Sequence, residues 1–264
     1  MKATSAVSIT RPPERPAGPW RVEWLRLART GRWIALLGVY LVFGLLGPVT
    51  ARYLPSILQR AQSEMIIIVP PPQPRDGIVN YLSQVTQIGL VVVVAVAAGA
   101  LAFDARRGVA IFLRTRSPSV WRLIEPRLVV PAVAAVLAYT VGLVAAAYES
   151  VLLLGPLPGG PMIAGIICQA GYLVFVVTVV ATAASLTRGV LATVGLALGA
   201  LIVLSLAGTV SALHDWLPST LAGAPADLLT NAAFSDFVPA LAVSVAASVG
   251  LTVLAVYRLG RREV

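Results

Sequence analysis

Basic residues fall in alternate gaps between six long apolar stretches, and this pattern constrains the fold more than any other feature. The stretches cover residues 34–53, 84–103, 129–153, 162–186, 190–210 and 238–257. Of the 20 Lys and Arg residues, 17 precede the first stretch, lie in the second or fourth gap, or follow the sixth stretch. Arg52, Arg60 and Arg75 are the exceptions. Because cytoplasmic loops retain Lys and Arg, the alternation predicts six membrane spans with both termini in the cytoplasm.

Composition supports an all-helical membrane protein. The chain is 58% hydrophobic and 12% charged, whereas about 25% of a soluble domain is charged. Each stretch has the roughly 20 apolar residues that a span needs, and lipid offers the backbone no hydrogen-bond partner, so we expect helices. The run IGLVVVVAVAAGALAF lacks the alternation of a membrane barrel strand. We therefore predict a single transmembrane domain at 20–264, behind a proline-rich, flexible cytoplasmic tail at 1–19.

The residue inventory argues against several kinds of function. The net charge of +9 follows the membrane topology, so we do not expect nucleic-acid binding. A phosphate-binding loop needs glycines before a lysine, and the only lysine, Lys2, follows none. One His and one Cys leave too few ligands for a His/Cys metal site, and Cys168 is expected to be a small packing residue. We predict no catalytic residue and no cofactor in this chain.

The segment before the first span predicts an amphipathic helix from Trp20 to Trp33. Trp20, Trp24 and Leu27 share one face at helical spacing. The other faces carry Arg21, Arg26, Arg29 and Arg32. Tryptophans opposite arginines are typical of a helix that lies in the headgroup layer. The simpler alternative is a basic lead-in to the first span.

The segment between the second and third spans, residues 104–127, mixes arginines with large apolar side chains. The apolar residues are Ile111, Phe112, Leu113, Val120, Trp121, Leu123 and Ile124. Two short amphipathic helices, broken at Ser117-Pro118, would lie at the membrane surface and present a docking edge to a cytoplasmic partner. A loop that follows the membrane surface, with its arginines reaching into water, fits the composition equally well.

The opposite loops differ in length. In the first, 54–83, the prolines of PPPQP exclude one continuous helix. The last, 211–237, contains Leu221, Leu228, Leu229, Phe234 and Phe237. These residues predict short helices that dip toward the membrane. His214 and Asp215 are expected to cap the fifth span, or alternatively to form a titrating pair.

Glu149 is the one acid that lies well inside an apolar stretch. An intramembrane carboxylate is a candidate functional group, here for a cationic substrate or a proton. The structural alternative is a hydrogen bond to a neighbour or to the interface. Gly195 and Gly199 form a GxxxG pattern that permits close helix packing.

The order of these parts resembles the permease subunit of an ABC-2 type ABC transporter. That family has an interfacial helix, six spans, a coupling helix in the first inner loop, and short re-entrant helices before the last span. The inner loop carries the closest similarity, at Asp104, Gly108, Phe112-Leu113, Ser117-Pro118, Arg122 and Arg127. Val109 stands where the family usually has threonine, and arginine replaces its lysine.

The resemblance implies an exporter in a bacterial plasma membrane. Two permease subunits, expected to be a homodimer, would form the pathway, and two separate ABC ATPase subunits would bind ATP and Mg. Coupling would involve Asp104, Arg107, Gly108, Phe112, Leu113, Arg114, Pro118, Trp121 and Arg122. Because the second and fifth spans line the family's pathway, Gln84, Gln87, Thr193 and Ser205 join Glu149 as candidate pathway residues. These polar side chains could equally be ordinary interhelical hydrogen-bonding groups.

Two other classes of function have the same topology. A membrane interaction or assembly protein without transport activity needs no further motif. An integral-membrane enzyme that acts on lipid would need acids or histidines clustered at one membrane face, and the sequence has no such cluster.

Overall fold

The computed structural model describes residues 18–61, 71–102, 120–230 and 232–261, and these residues contain helices and no strand. Helix α1 is Pro19–Arg29, and α2, Arg32–Ala61, contains the first span. The second span consists of α3 (Pro74–Gln84), a π-helical turn (Val85–Gly89) and α4 (Leu90–Leu101). The third, fourth and fifth spans are α5 (Val120–Leu154), α6 (Gly159–Leu186) and α7 (Val190–Ala207). Two short helices, α8 (Ser211–His214) and α9 (Ala224–Thr230), precede α10 (Val238–Arg261), the sixth span. All six predicted stretches are therefore long apolar helices.

The first loop is shorter than the sequence predicted. Helix α2 continues to Ala61 past two internal prolines, and α3 begins at Pro74, so only 62–73 separates them, not 54–83. Proline is well suited to the first turn of a helix, where its missing N–H has no intrahelical partner. The side chain of Asp76 fixes this start, because its Oδ2 accepts a hydrogen bond from the backbone N–H of Gln73 at 2.7 Å.

The third span also begins earlier than predicted. Helix α5 runs without interruption from Val120 through two prolines, Pro126 and Pro131. The second of the two predicted amphipathic helices is therefore not separate. Its residues, including Trp121 and Arg122, form the first turns of the third span.

The first and third spans touch through their backbones. A Cβ atom built on Gly44 would lie 2.5 Å from the carbonyl oxygen of Gly142, and one on Gly142 would lie 2.6 Å from the carbonyl oxygen of Tyr40. Gly47 lies equally close to α3, where its Cβ would be 2.8 Å from the backbone nitrogen of Tyr81. Small residues allow such an approach, and the resulting van der Waals packing is what holds spans together in lipid.

Three tyrosines fill the space beside this contact. Tyr40, Tyr81 and Tyr139 are almost completely buried, and the rings of Tyr40 and Tyr139 meet edge to face with centroids 6.2 Å apart. The hydroxyl of Tyr81 donates a hydrogen bond to the carbonyl oxygen of Tyr139 at 3.0 Å. This buried cluster joins the first, second and third spans.

Helix α6 connects this group to the remaining spans. Thr182 on α6 donates a hydrogen bond to the carbonyl oxygen of Leu251 on α10 at 3.2 Å. The segment before α10 adds two 3-10 turns, Pro218–Ala222 and Phe234–Phe237, to its short helices. Leu221 and Leu228 from this segment are buried, so it packs into the bundle.

The backbone contact gives the first testable prediction. Replacing Gly44 with Ala should cost about 1–3 kcal/mol of stability, because the methyl group meets a carbonyl that belongs to a packed helix. The matched control is Gly38→Ala on the same helix, where a Cβ meets nothing within 4 Å. That control should be neutral, or more stable by up to ~1 kcal/mol, because alanine is the better helix former. Thermal unfolding in detergent measures the stability of both variants. Equal stabilities would show that the close approach of the two backbones does not constrain the residue at position 44.

Candidate functional site

Helix α1 is shorter than predicted and is separate from the first span. It ends at Arg29, four residues before Trp33, and α2 begins at Arg32. Gly31 between them has a φ of 67°, a left-handed conformation that glycine adopts without steric cost. Because of this turn, α1 does not continue into α2, and it packs against both α5 and α2.

A buried ionic cluster holds α1 in place. Glu23 is 6% exposed, and its two carboxylate oxygens face two different cations. Oε2 lies 3.8 Å from Nε of Arg127 on α5, and Oε1 lies 3.6 Å from Nη1 of Arg26 on α1 itself. Arg26 also donates a hydrogen bond from Nη2 to the carbonyl oxygen of Gly99 on α4, at 3.2 Å. We call Glu23, Arg26, Arg127 and Gly99 the inter-span cluster, because they join α1 to the ends of the second and third spans.

The sequence interpretation missed Glu23. It treated the segment as arginines opposite tryptophans and gave no role to its single acid. A local signal was present, since Glu23 precedes Arg26 by three residues and Leu27 by four and so shares a face with both. Arg127, however, is more than 100 residues away, and only the packing of α1 on α5 brings the two together.

The residues of the predicted apolar face of α1 differ in their exposure. Leu27 is buried, while Trp20 and Trp24 are 41% and 43% exposed. Trp24 is one wall of an open apolar cavity of about 270 Å³ between α1, α2 and α5. We call it the tryptophan groove; it is lined by Trp24, Leu27, Ala28, Trp33, Leu36, Leu37, Ala134, Leu137 and Ala138. Arg29 lies on the exposed side of α1.

Most of the predicted coupling residues lie outside the described part of the chain. They are Asp104, Arg107, Gly108, Phe112, Leu113, Arg114 and Pro118, and their role stays a prediction. Trp121 and Arg122 are described, and both are exposed on the first turn of α5. They are close in sequence to the inter-span cluster, whose Arg127 is on the next turns of the same helix.

The candidate pathway residues have different environments. Glu149 is half-buried on α5, and its Oε2 is buried without a hydrogen-bond partner among the described residues. Gln84 is half-buried at the end of α3, and Gln87 is exposed within the π-helical turn. Such turns interrupt regular helices and are frequent at functional sites.

The fifth span contributes the other two candidates. Thr193 is completely buried and bonds the carbonyl oxygen of Gly189 at 2.9 Å and the hydroxyl of Thr187 at 2.7 Å. These bonds stabilise the turn before α7 and favour the structural alternative for Thr193. Ser205 is exposed near the other end of α7. In the described residues, no hydrogen bond links any two of the five candidates.

His214 has the environment of a helix cap. Its Nδ1 lies 3.0 Å from the carbonyl oxygen of Gly208, the residue that directly follows α7. This geometry fits the cap predicted for the fifth span. Within the described ranges, no three His, Cys, Asp or Glu side chains come close enough to hold a metal ion.

Comparison with known proteins supports the membrane assignment and provides no named activity. The uncharacterized transmembrane protein YxlG of Bacillus subtilis (strain 168) is 25% identical over 248 residues, which cover 91% of this chain and 95% of YxlG. No protein-family model and no solved structure matches the chain. The similarity, which runs along almost the whole chain, and the six apolar helices define a multi-pass, all-helical membrane protein.

The inter-span cluster gives the second prediction. Glu23→Gln should lower stability by about 3–5 kcal/mol, because it removes the buried carboxylate that faces both Arg26 and Arg127. The matched control is Asp215→Asn, which removes an exposed carboxylate near the end of α7 and should change stability by less than about 0.5 kcal/mol. Thermal unfolding of both variants in detergent makes the comparison. A Glu23→Gln protein as stable as the control would mean that the ion pair contributes nothing.

Proposed function

We propose that this chain is the permease subunit of an ATP-driven exporter of the ABC-2 type. In this proposal two copies form the substrate pathway, and two separate ABC ATPase subunits bind ATP and Mg beneath them. The observation that carries the proposal is the inter-span cluster. It fixes α1 to Gly99 and Arg127, which flank the 104–119 segment on its two sides.

The cluster would join α4 and α5, the helices on either side of residues 104–119, into one stiff unit with α1. A force applied to 104–119 by an ATPase would reach α4 directly on one side and α5 directly on the other. Because Arg26 bonds one of these helices and Glu23 pairs with the other, α1 would move with both. Rigid-body movement of packed helices is a common way to convert a local push into a global switch.

The exposed face of the fifth span supports association with a second copy. Cβ atoms built on Gly195 or Gly199 meet nothing within 4 Å, so the GxxxG pattern is not used inside the described bundle. Leu191, 85% exposed, belongs to the same helix. A permease homodimer would cover these residues, and its interface would bring Ser205 of both copies toward the pathway.

The arginine distribution supports the orientation in this proposal. Helix α1, the start of α5 and the end of α10 carry most of the basic residues in the described part of the chain, and α1 packs directly on α5. Placing this end in the cytoplasm follows the preference of Lys and Arg for cytoplasmic loops. The protein would lie in a bacterial plasma membrane, with both termini on the side where ATP is available.

The direct test is purification through a tag on this chain from its own host in mild detergent. We expect an ABC ATPase subunit in a 1:1 ratio, identified by mass spectrometry, together with ATP hydrolysis. Replacing Phe112 and Leu113 with Asp should abolish both while the protein still inserts into the membrane. The control is Ile9→Asp in the N-terminal tail, which should keep both. An inactive protein that purifies alone, even after cross-linking in intact cells, would contradict the proposal and favour the assembly-protein alternative.

Glu149 gives a prediction about the substrate. Its buried, unpartnered oxygen would suit a cation in the pathway. In the reconstituted complex, Glu149→Gln should weaken ATPase stimulation by cationic compounds and leave stimulation by neutral compounds unchanged. Tyr148→Phe, at an exposed neighbouring position, serves as the control. Unchanged stimulation with a lower melting temperature would assign Glu149 a structural role.

A further inference from the structure

The tryptophan groove has a surface that suits only an apolar ligand. It lies between α1, α2 and α5, and its walls are the side chains of Trp, Leu and Ala residues. Its volume of about 270 Å³ approaches the lower end of the range for ligand clefts. It is open to the surroundings of the bundle, and in a multi-pass membrane protein those surroundings contain lipid chains. An acyl chain therefore has both access to the groove and a matching surface within it.

Two tryptophans mark the depth of the groove in the membrane. Trp24 and Trp33 are both 43% exposed, and both line the groove. The indole Nε1 of Trp33 donates a hydrogen bond to the carbonyl oxygen of Ala28 at 3.1 Å, which fixes that ring against α1. Tryptophan is enriched at the level of lipid headgroups, where its ring is apolar and its N–H is polar. The mouth of the groove should therefore lie at headgroup level and its interior beneath it.

Among the described residues, the charge beside the groove is positive. Arg26 is already engaged with Glu23 and Gly99, but Arg21 and Arg29 are exposed and have no ion-pair partner in the described part of the chain. Arg21 is three residues before Trp24, so the two side chains are neighbours on the surface of α1. A guanidinium at this position would pair with a phosphate at the headgroup of a lipid whose chain enters the groove.

We propose that the tryptophan groove binds an acyl chain of an anionic phospholipid, with Arg21 beside its phosphate. The site would anchor α1 to one lipid class. This inference is independent of the proposed transport function, because it needs neither an ATPase partner nor a second copy.

The test uses quenching of tryptophan fluorescence by brominated lipid. The full-length protein contains five tryptophans, and replacing Trp20, Trp121 and Trp216 with Phe leaves the two in the groove. This variant is placed in phosphatidylcholine nanodiscs that contain increasing fractions of brominated phosphatidylglycerol or brominated phosphatidylcholine. Half-maximal quenching should need a roughly fivefold lower fraction of the anionic lipid, the preference expected from one arginine near an anionic headgroup.

Four further variants identify the site. Arg21→Gln should remove most of the preference for the anionic lipid, whereas Arg75→Gln, on α3, should retain it. Ala134→Phe should occupy the groove and reduce quenching by both lipids. If Ala134→Phe lowers the melting temperature, Ala28→Leu, on the exposed side of α1, tests the occupation of the groove instead.

Separate results would overturn the proposal. Equal quenching by the two lipids would remove the headgroup selectivity. A preference for the anionic lipid that survives Arg21→Gln would mean that the headgroup binds at another position. Quenching weaker than that of a variant that retains only Trp216, which is 58% exposed near the end of α7, would mean that protein covers the groove instead of lipid.

Discussion

The contact between Gly44 and Gly142 is the constraint on which the rest of the bundle depends. Lipid tails are as apolar as leucine, so spans gain little from hiding apolar surface and must gain from close packing. With no side chain on either glycine, the α2 and α5 backbones meet, and Tyr40 is brought edge to face with Tyr139. The same approach fixes where α5 begins relative to α2, and therefore where α1 can pack. The inter-span cluster at one end thus depends on a backbone contact deep in the bundle.

Hydropathy predicted the six spans because a backbone in lipid must satisfy its own hydrogen bonds as a helix. Each span is therefore one continuous apolar stretch of sequence. The ends of the spans were less predictable. Prolines suggested a break within 54–83, and the third span was predicted to begin at 129. Instead, Pro74 starts a helix, and Pro126 and Pro131 are accommodated within one. Glu23 was missed for a different reason: its partner Arg127 is near only after folding. Thr193 was chosen as a candidate pathway residue because it is polar. Its hydroxyl, however, already makes a hydrogen bond within the turn before α7, which the sequence alone could not show.

Helix α1 has two sides with different chemistry. One side carries Glu23 and Leu27, which are buried against the spans, and the other carries Arg21, Trp24 and Arg29, which are exposed. The prediction of an interfacial helix included Leu27 but gave no role to Glu23. The first side explains why such a short helix is ordered: eleven residues are marginal as an isolated helix in water, and the buried ionic cluster supplies the missing tertiary contact. A helix held in this way contacts the spans with one side and the surroundings of the bundle with the other.

The position of the cluster on α5 also has a mechanical consequence. Helix α5 has 35 residues, so it is about 50 Å long and reaches from the end of the 104–119 segment to Glu149 and beyond. Proline removes a backbone hydrogen bond, and Pro126 and Pro131 therefore weaken α5 within its first turns. Arg127 lies between these two prolines, so the ion pair with Glu23 supports the helix where its own hydrogen bonding is poorest. With that support, a displacement at Trp121 would be carried along α5 toward Glu149; without it, the prolines would absorb the movement. In the proposed transporter, Glu23 would therefore stabilise the start of the third span so that α5 moves as one unit.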